Sequence, residues 1–99
     1  MRTQSSPIEL ADLALFATVV EKRSFSAAAH SMQSTTSAAS KRVARLEGRL
    51  GVRLLERTTR RVVPTEAGAA FYARARRILS DVVDAEHEVA TLGGAPRGT

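Results

Sequence analysis

The 99-residue sequence predicts a mainly α-helical fold: a three-helix core with a small β-hairpin, followed by one long helix that outruns it. Three observations carry this. From Ser24 to Gly51 a short Ala-rich segment, a four-residue polar stretch and a longer basic segment of helical period follow one another directly. Two short apolar pieces, around Leu54–Leu55 and Val62–Val63, flank a polar tip. From Glu66 to Leu92 apolar residues recur at alternating spacings of four and three.

The first helix is expected from about Glu9 to Glu21, because Leu13, Phe16, Ala17 and Val20 share one face. Ser6, Pro7 and Glu9 have the spacing of a capping box with proline at the first helical position. Its apolar side should cover the two helices that follow. Ser26 is expected to cap the second helix, with Phe25 stapled back onto it from outside. Ala27, Ala28 and Ala29 keep that helix thin, so a steeply crossing neighbour can approach closely.

Gln33 to Thr36 form the polar turn, and Thr35 or Thr36 can cap the third helix. Ala39, Val43, Leu46 and Leu50 then recur four, three and four apart, which predicts the core face. At about 100° per residue the opposite face carries Ser37, Lys41, Ala44, Arg45 and Gly48, flanked by Arg42 and Arg49. Two helices joined by a tight turn, the second basic and short-sided, form a helix-turn-helix that fits a nucleic-acid groove. Ser37 could reach base edges, Lys41 and Arg45 guanine or phosphate, while Ala44 and Gly48 let the backbone come near.

After Gly51 the hairpin is expected, with Thr58, Thr59, Arg60 and Arg61 at its tip and Pro64 ending its second strand. A basic tip beside such a helix is the arrangement of a wing lying along backbone or minor groove. Thr65 is placed to cap the last helix, with Glu66 favourable at its positive end. Phe71, Ala75, Ile78, Val82, Ala85, Val89 and Leu92 form a heptad seam. That helix would run roughly 40 Å at 1.5 Å per residue, too long for so small a domain to cover, so a second copy is expected on it. Arg74, Arg76 and Arg77 make its near half basic, and Asp81, Asp84, Glu86 and Glu88 its far half acidic, which favours antiparallel pairing.

Charge supports the same class. The net +5 is concentrated between Lys41 and Arg61, which hold eight basic residues against Glu47 and Glu56, leaving the remainder slightly acidic. Localised positive charge beside a helix-turn-helix is the footprint of a polyanionic ligand. No apolar run approaches the roughly eighteen residues needed to span a bilayer, and no leader is visible at Met1, so a soluble intracellular protein is expected. Cysteine is absent, which excludes disulfides and thiolate metal sites. An enzyme is not expected: His30 and His87 are isolated, and there is no nucleophile elbow, phosphate-cradling glycine loop or metal spacing. A protein-interaction module built on the heptad helix is the competing class. Salt-dependent duplex binding separates the two.

These residues resemble the amino-terminal winged helix-turn-helix domain of LysR-type transcriptional regulators over almost the whole chain. The likeness rests on Leu13 and Phe16, Ser24-Phe25-Ser26-Ala27-Ala28-Ala29, Ser40-Lys41, Arg45-Leu46-Glu47, Leu50-Gly51-Val52, Leu54-Leu55-Glu56-Arg57 and Thr65-Glu66-Ala67-Gly68. The resemblance implies a bacterial, cytoplasmic regulator that binds promoter DNA as a homodimer through antiparallel linker helices, with tetramers in full-length members. It implies no cofactor, and a small-molecule effector only through a carboxy-terminal domain that this chain lacks.

The implied organisation is a DNA-binding domain at 1–65, with the helix-turn-helix at 25–44 and the wing at 54–63. A dimerisation helix at 66–92 and a hinge at 93–99 follow. The resemblance implies DNA contacts at Ser26, Ser40, Lys41 and Arg60 or Arg61, and Thr35, Thr36, Ser37, Arg45 and Thr59 are expected beside them from their places on the motif and the wing. Many members have glutamine and proline where this chain has Thr36 and Ser37, so base preference does not transfer. Gln33 and Ser34 also replace the usual glycine or asparagine and aliphatic residue, leaving the turn's backbone geometry open.

Overall fold

The computed structural model describes residues 8–58 and 61–94. Helix α1 (Leu10–Lys22), α2 (Phe25–Ser31) and α3 (Thr36–Leu50) precede strands β1 (Leu55–Arg57) and β2 (Val62–Pro64), and α4 (Glu66–Leu92) closes the chain. The strands form an antiparallel hairpin in the register Leu55 to Pro64, Glu56 to Val63 and Arg57 to Val62. The radius of gyration is 15.7 Å, above the roughly 13 Å of a compact chain this size, because α4 extends past the rest.

The core is the meeting point of all elements but the far half of α4. Phe16 and Val19 of α1, Ala28 and Ala29 of α2, Ala39 and Val43 of α3, and Leu54 and Leu55 at the hairpin's entry are all buried. Ala28, Ala29 and Ala39 allow the close approach of α2 and α3 that small side chains predict. Phe71 of α4 packs on Phe16 with ring centroids 5.5 Å apart and planes tilted by 59°, a favoured aromatic geometry.

Helix ends depart from expectation in two places. Glu9 caps α1, with Asp12 Oδ2 accepting the Glu9 amide at 3.3 Å, so the box is one turn later than Ser6 and Glu9 suggest. Ser6 and Pro7 lie outside the described residues. In α2 the cap is Ser24, whose Oγ accepts the Ala27 amide at 3.0 Å. Ser26 is therefore inside the first turn and exposed, and Phe25 is the first helical residue, buried rather than outside. Two serines flank Phe25, and the burial of its ring decides between them: capping by Ser24 places Phe25 on the core side.

The expected threonine caps hold. Thr35 Oγ1 accepts the Ala38 amide at 3.0 Å, and Thr65 Oγ1 accepts the Gly68 amide at 2.9 Å. The turn between α2 and α3 reverses through Gln33 at φ +56°, a left-handed conformation costing a non-glycine residue about 1 kcal/mol. The amide of Ser34 donating to the Ala29 carbonyl at 2.8 Å secures it.

Leu50 is a correction. It ends α3 at 39 % exposure rather than in the core, since the helix runs past the body before Gly51 turns the chain in the left-handed region at φ +73°. Together with Val52, Ala67, Ala70, Phe71 and Arg74 it lines an open, largely apolar hollow.

Candidate nucleic-acid interface

Helix α3 is held on one side and open on the other. Its held side is the buried row Ala39, Val43 and Leu46, extended by Arg42. Arg42 donates to Asp12 Oδ1 of α1 through Nη2 at 2.6 Å and Nε at 3.0 Å, a fork in which one carboxylate oxygen takes both donors. Glu47 anchors the other end of the same side. Its Oε2 accepts the amides of Leu54 at 2.8 Å and Leu55 at 3.1 Å, joining α3 to the hairpin.

The open side carries Thr36, Ser37, Lys41, Ala44, Arg45 and Gly48, all exposed. Among the described residues Lys41 and Arg45 have no ion-pair or hydrogen-bond partner, whereas their neighbour Arg42 is committed to α1. Adjacent cations on one helix are thus divided between holding the helix and facing solvent. Thr36 and Ser37 stand in the first turn, where unpaired backbone amides and the helix dipole favour an anion. Gly48 leaves open space where a Cβ would be. A surface of small side chains and uncommitted cations can lie against a polyanion closely enough for both phosphate and base-edge contact.

Ser40 is half-buried on the flank, and its Oγ accepts a hydrogen bond from Arg57 Nη1 at 3.1 Å. Arg57 also lies over the Phe25 ring, with its guanidinium carbon 4.3 Å from the centroid. Arg57 and Glu47 are the residues that sequence reasoning left without a role. Their partners lie 17 and 7 or 8 residues away, beyond any local period.

The hairpin stands beside α3, closed by the Thr58 amide donating to the Arg61 carbonyl at 2.9 Å and the Arg61 amide donating to Thr58 Oγ1 at 3.0 Å. Arg61 is exposed. Thr59 and Arg60 lie outside the described residues, as does the proposed hinge beyond residue 94.

The seam of α4 divides. Phe71 is half-buried on Phe16, and Ala75 is fully buried within its own chain, so Ala75 is core and not surface for a partner. From Ile78 onward the strip is open: Ile78, Val89 and Leu92 are exposed, as is Ala85, while Val82 is half-buried. Val83, outside the expected seam, is also exposed at 48 %. Arg76 is engaged by Glu21 of α1 at 3.6 Å, which leaves Arg74 and Arg77 as the near-half cations available to a neighbour's acidic half. Glu21 also accepts the Tyr72 hydroxyl at 2.7 Å. That hydrogen bond, with burial and the Glu21 charge, raises the phenol's pKa above the usual tyrosine value, against a smaller opposing effect of Arg76.

Of the other chemistry-bearing residues, His30 and His87 are both exposed. No group of three His, Asp or Glu that could hold a metal occurs among the described residues. Among them, too, no helix is long and apolar enough to cross a membrane.

Residues 10–69 match the family model described as "Bacterial regulatory helix-turn-helix protein, lysR family". The chain is 46 % identical over 90 residues to an HTH-type transcriptional regulator of Xanthomonas campestris pv. campestris, covering 91 % of this chain and 26 % of that protein. It is 46 % identical over 91 residues to the HTH-type transcriptional regulator PgrR of Escherichia coli K12, covering 92 % and 30 %. It spans about a quarter to a third of these relatives. The BenM DNA-binding domain in complex with catB site 1 DNA superposes with a TM-score of 0.85 at 33 % identity, covering 91 % of this chain and all of that one. The CbnR DNA-binding domain in its DNA complex superposes with a TM-score of 0.83 at 32 % identity, covering 87 % of this chain and 99 % of that one. The winged helix-turn-helix architecture and the sequence match agree: this chain belongs to the LysR family of bacterial regulatory helix-turn-helix proteins.

Proposed function

We propose that this chain binds double-stranded promoter DNA sequence-specifically as a homodimer, and so serves as the DNA-reading part of a transcriptional regulator. In this reading α3 enters the major groove, with Thr35, Thr36, Ser37, Ser40, Lys41 and Arg45 toward the duplex. Ser26 faces phosphate from α2, and Thr59, Arg60 and Arg61 of the wing follow the backbone or minor groove. The observation that carries it is the open face of α3, where Lys41 and Arg45 have no partner among the described residues while Arg42 and Glu47 clamp the opposite side. The likeness to two DNA-binding domains solved with DNA supports it.

Dimerisation is assigned to α4 from Ile78 to Leu92, with Phe71 at its margin, because this stretch presents exposed apolar residues beyond the reach of its own core. The reading head occupies residues 1–65, the dimerisation helix 66–92 and the hinge 93–99. The work is cytoplasmic. In this reading tetramer formation and response to a small-molecule effector would require an effector domain in addition to the reading part.

Selection of bound sites from random duplex DNA tests the proposal. It should return a half-site repeated at one fixed spacing, since a two-fold dimer sets the distance between its two reading helices. An unenriched pool contradicts sequence-specific reading, and single unpaired half-sites contradict the dimer.

A further inference from the structure

We infer that Arg57 is a positioning residue for DNA reading: it ties the wing to α3 and, by occupying the acceptor side of Ser40, turns the Ser40 hydroxyl into a dedicated phosphate donor. The inference rests on the DNA-reading proposal and deepens it. Arg57 is the last residue of β1, next to the pair that closes the wing, and Ser40 immediately precedes Lys41. One guanidinium therefore links the two stretches of chain assigned to the duplex, and it does so from an exposed position.

Two contacts fix it. The Phe25 ring lies 4.3 Å from the guanidinium carbon, and Phe25 is itself buried at the start of α2, so the platform under Arg57 is rigid. Nη1 then donates to Ser40 Oγ at 3.1 Å. A guanidinium can only donate, so this bond takes a lone pair of the serine oxygen and leaves its O–H uncommitted. In a helix that proton commonly turns back to a carbonyl one turn earlier, as Thr18 does toward Ala14 at 2.7 Å. Among the described residues nothing accepts it from Ser40. A phosphate oxygen offers only acceptors, which matches the O–H that Ser40 still has to give. Holding Ser40 and the wing in register before binding lowers the ordering cost of a two-point grip on the duplex.

The test is a double-mutant cycle in duplex affinity on Arg57→Lys and Ser40→Ala. It uses the selected half-site duplex and a scrambled duplex, with salt dependence and melting temperature measured on every variant. Lysine keeps the charge but not the planar fork that stacks on Phe25. Arg57→Lys should weaken binding to the selected duplex about tenfold with an unchanged salt slope and melting temperature, and Ser40→Ala should do the same. The double variant should be little worse than either single one, because both act through the same link. Wild-type affinity in Arg57→Lys overturns the inference and makes Arg57 only a charge. Strictly additive losses, or losses that follow a lowered melting temperature, also overturn it. A wild-type chain that binds neither duplex overturns the DNA-reading proposal and this inference with it, whereas binding that Arg57→Lys leaves intact overturns the inference alone.

Discussion

Glu47 Oε2 accepts the backbone amide of Leu54 at 2.8 Å, and the same oxygen accepts that of Leu55 at 3.1 Å. Both leucines are fully buried where the chain leaves α3 for the hairpin, and a single carboxylate supplies the acceptor their amides need there. The hairpin is thereby fixed to α3 by a side chain on the held side of that helix, opposite Lys41 and Arg45.

Removing that carboxylate strands two donors in the core. Glu47→Ala is expected to lower stability by roughly 2–6 kcal/mol, at about 1–3 kcal/mol for each of the two unsatisfied groups. Glu47→Gln keeps an acceptor oxygen and should cost distinctly less. Urea denaturation of the two variants beside wild type checks the order; equal losses would mean that the two amide bonds are not what Glu47 contributes.

Two glycines should respond to alanine with opposite signs. At Gly68 a Cβ would come within 1.9 Å of the Leu54 carbonyl oxygen, so the start of α4 would have to back away from the backbone at Leu54. The loss is expected on the order of 2–4 kcal/mol, exceeding alanine's helix advantage of about 1 kcal/mol. At Gly48 a Cβ meets nothing, and alanine should stabilise the free protein by up to about 1 kcal/mol. If α3 lies in a groove with Gly48 toward the duplex, the same methyl should weaken DNA binding. Thermal melting and duplex titration of both variants separate the effects.

Ile78 is 43 % exposed and lies three residues beyond Ala75, the last fully buried residue of α4 among the described residues. Ile78→Asp should leave the single-chain fold intact while placing an unpaired charge in the dimer seam. Sedimentation should show wild-type dimers and variant monomers with unchanged helicity. An intact variant dimer would move the interface elsewhere.

Tyr72 is the chain's only tyrosine, so its ionisation can be followed by ultraviolet absorbance without overlap. Its folded pKa is raised by the Glu21 hydrogen bond first and by burial and the Glu21 charge next. A raised pKa means that the fold favours the protonated phenol. The resulting stability is present below the unfolded pKa and is lost as pH rises through the folded one. Titration should run at higher pH in the folded chain than in urea, and Glu21→Gln should bring the two curves closer together.

Much of this architecture is readable from periodicity, and what is not has a common cause. The 3.6-residue pattern places Ala39, Val43 and Leu46 correctly in the core, and the threonine caps at Thr35 and Thr65 follow from local chemistry alone. Leu50 obeys the same period yet lies outside, because a period reports which face a residue is on and not where the body beneath it ends. Ser26 and Ser24 are equivalent cap candidates until the tertiary burial of Phe25 separates them. Ala75 fits a heptad seam and a core equally well, and the packing of α1 against α4 decides. For the site, Lys41 and Arg45 are legible from the helix face, but their contrast with Arg42 depends on Asp12, thirty residues earlier. The roles of Arg57 and Glu47 depend on partners that folding brings together, so a charge count registers them only as a cation and an anion.

The most direct test of the account is duplex affinity as a function of salt, for wild type and for Lys41→Ala with Arg45→Ala, on one selected duplex. The wild-type binding constant should fall linearly with log salt, by about 0.9 per phosphate neutralised. The double variant should bind at least about tenfold more weakly, with a shallower slope and an unchanged melting temperature, because neither side chain has a protein partner among the described residues. A variant that binds as tightly as wild type, or a wild type that binds no duplex even at low salt, would contradict the assignment of this face of α3 to DNA.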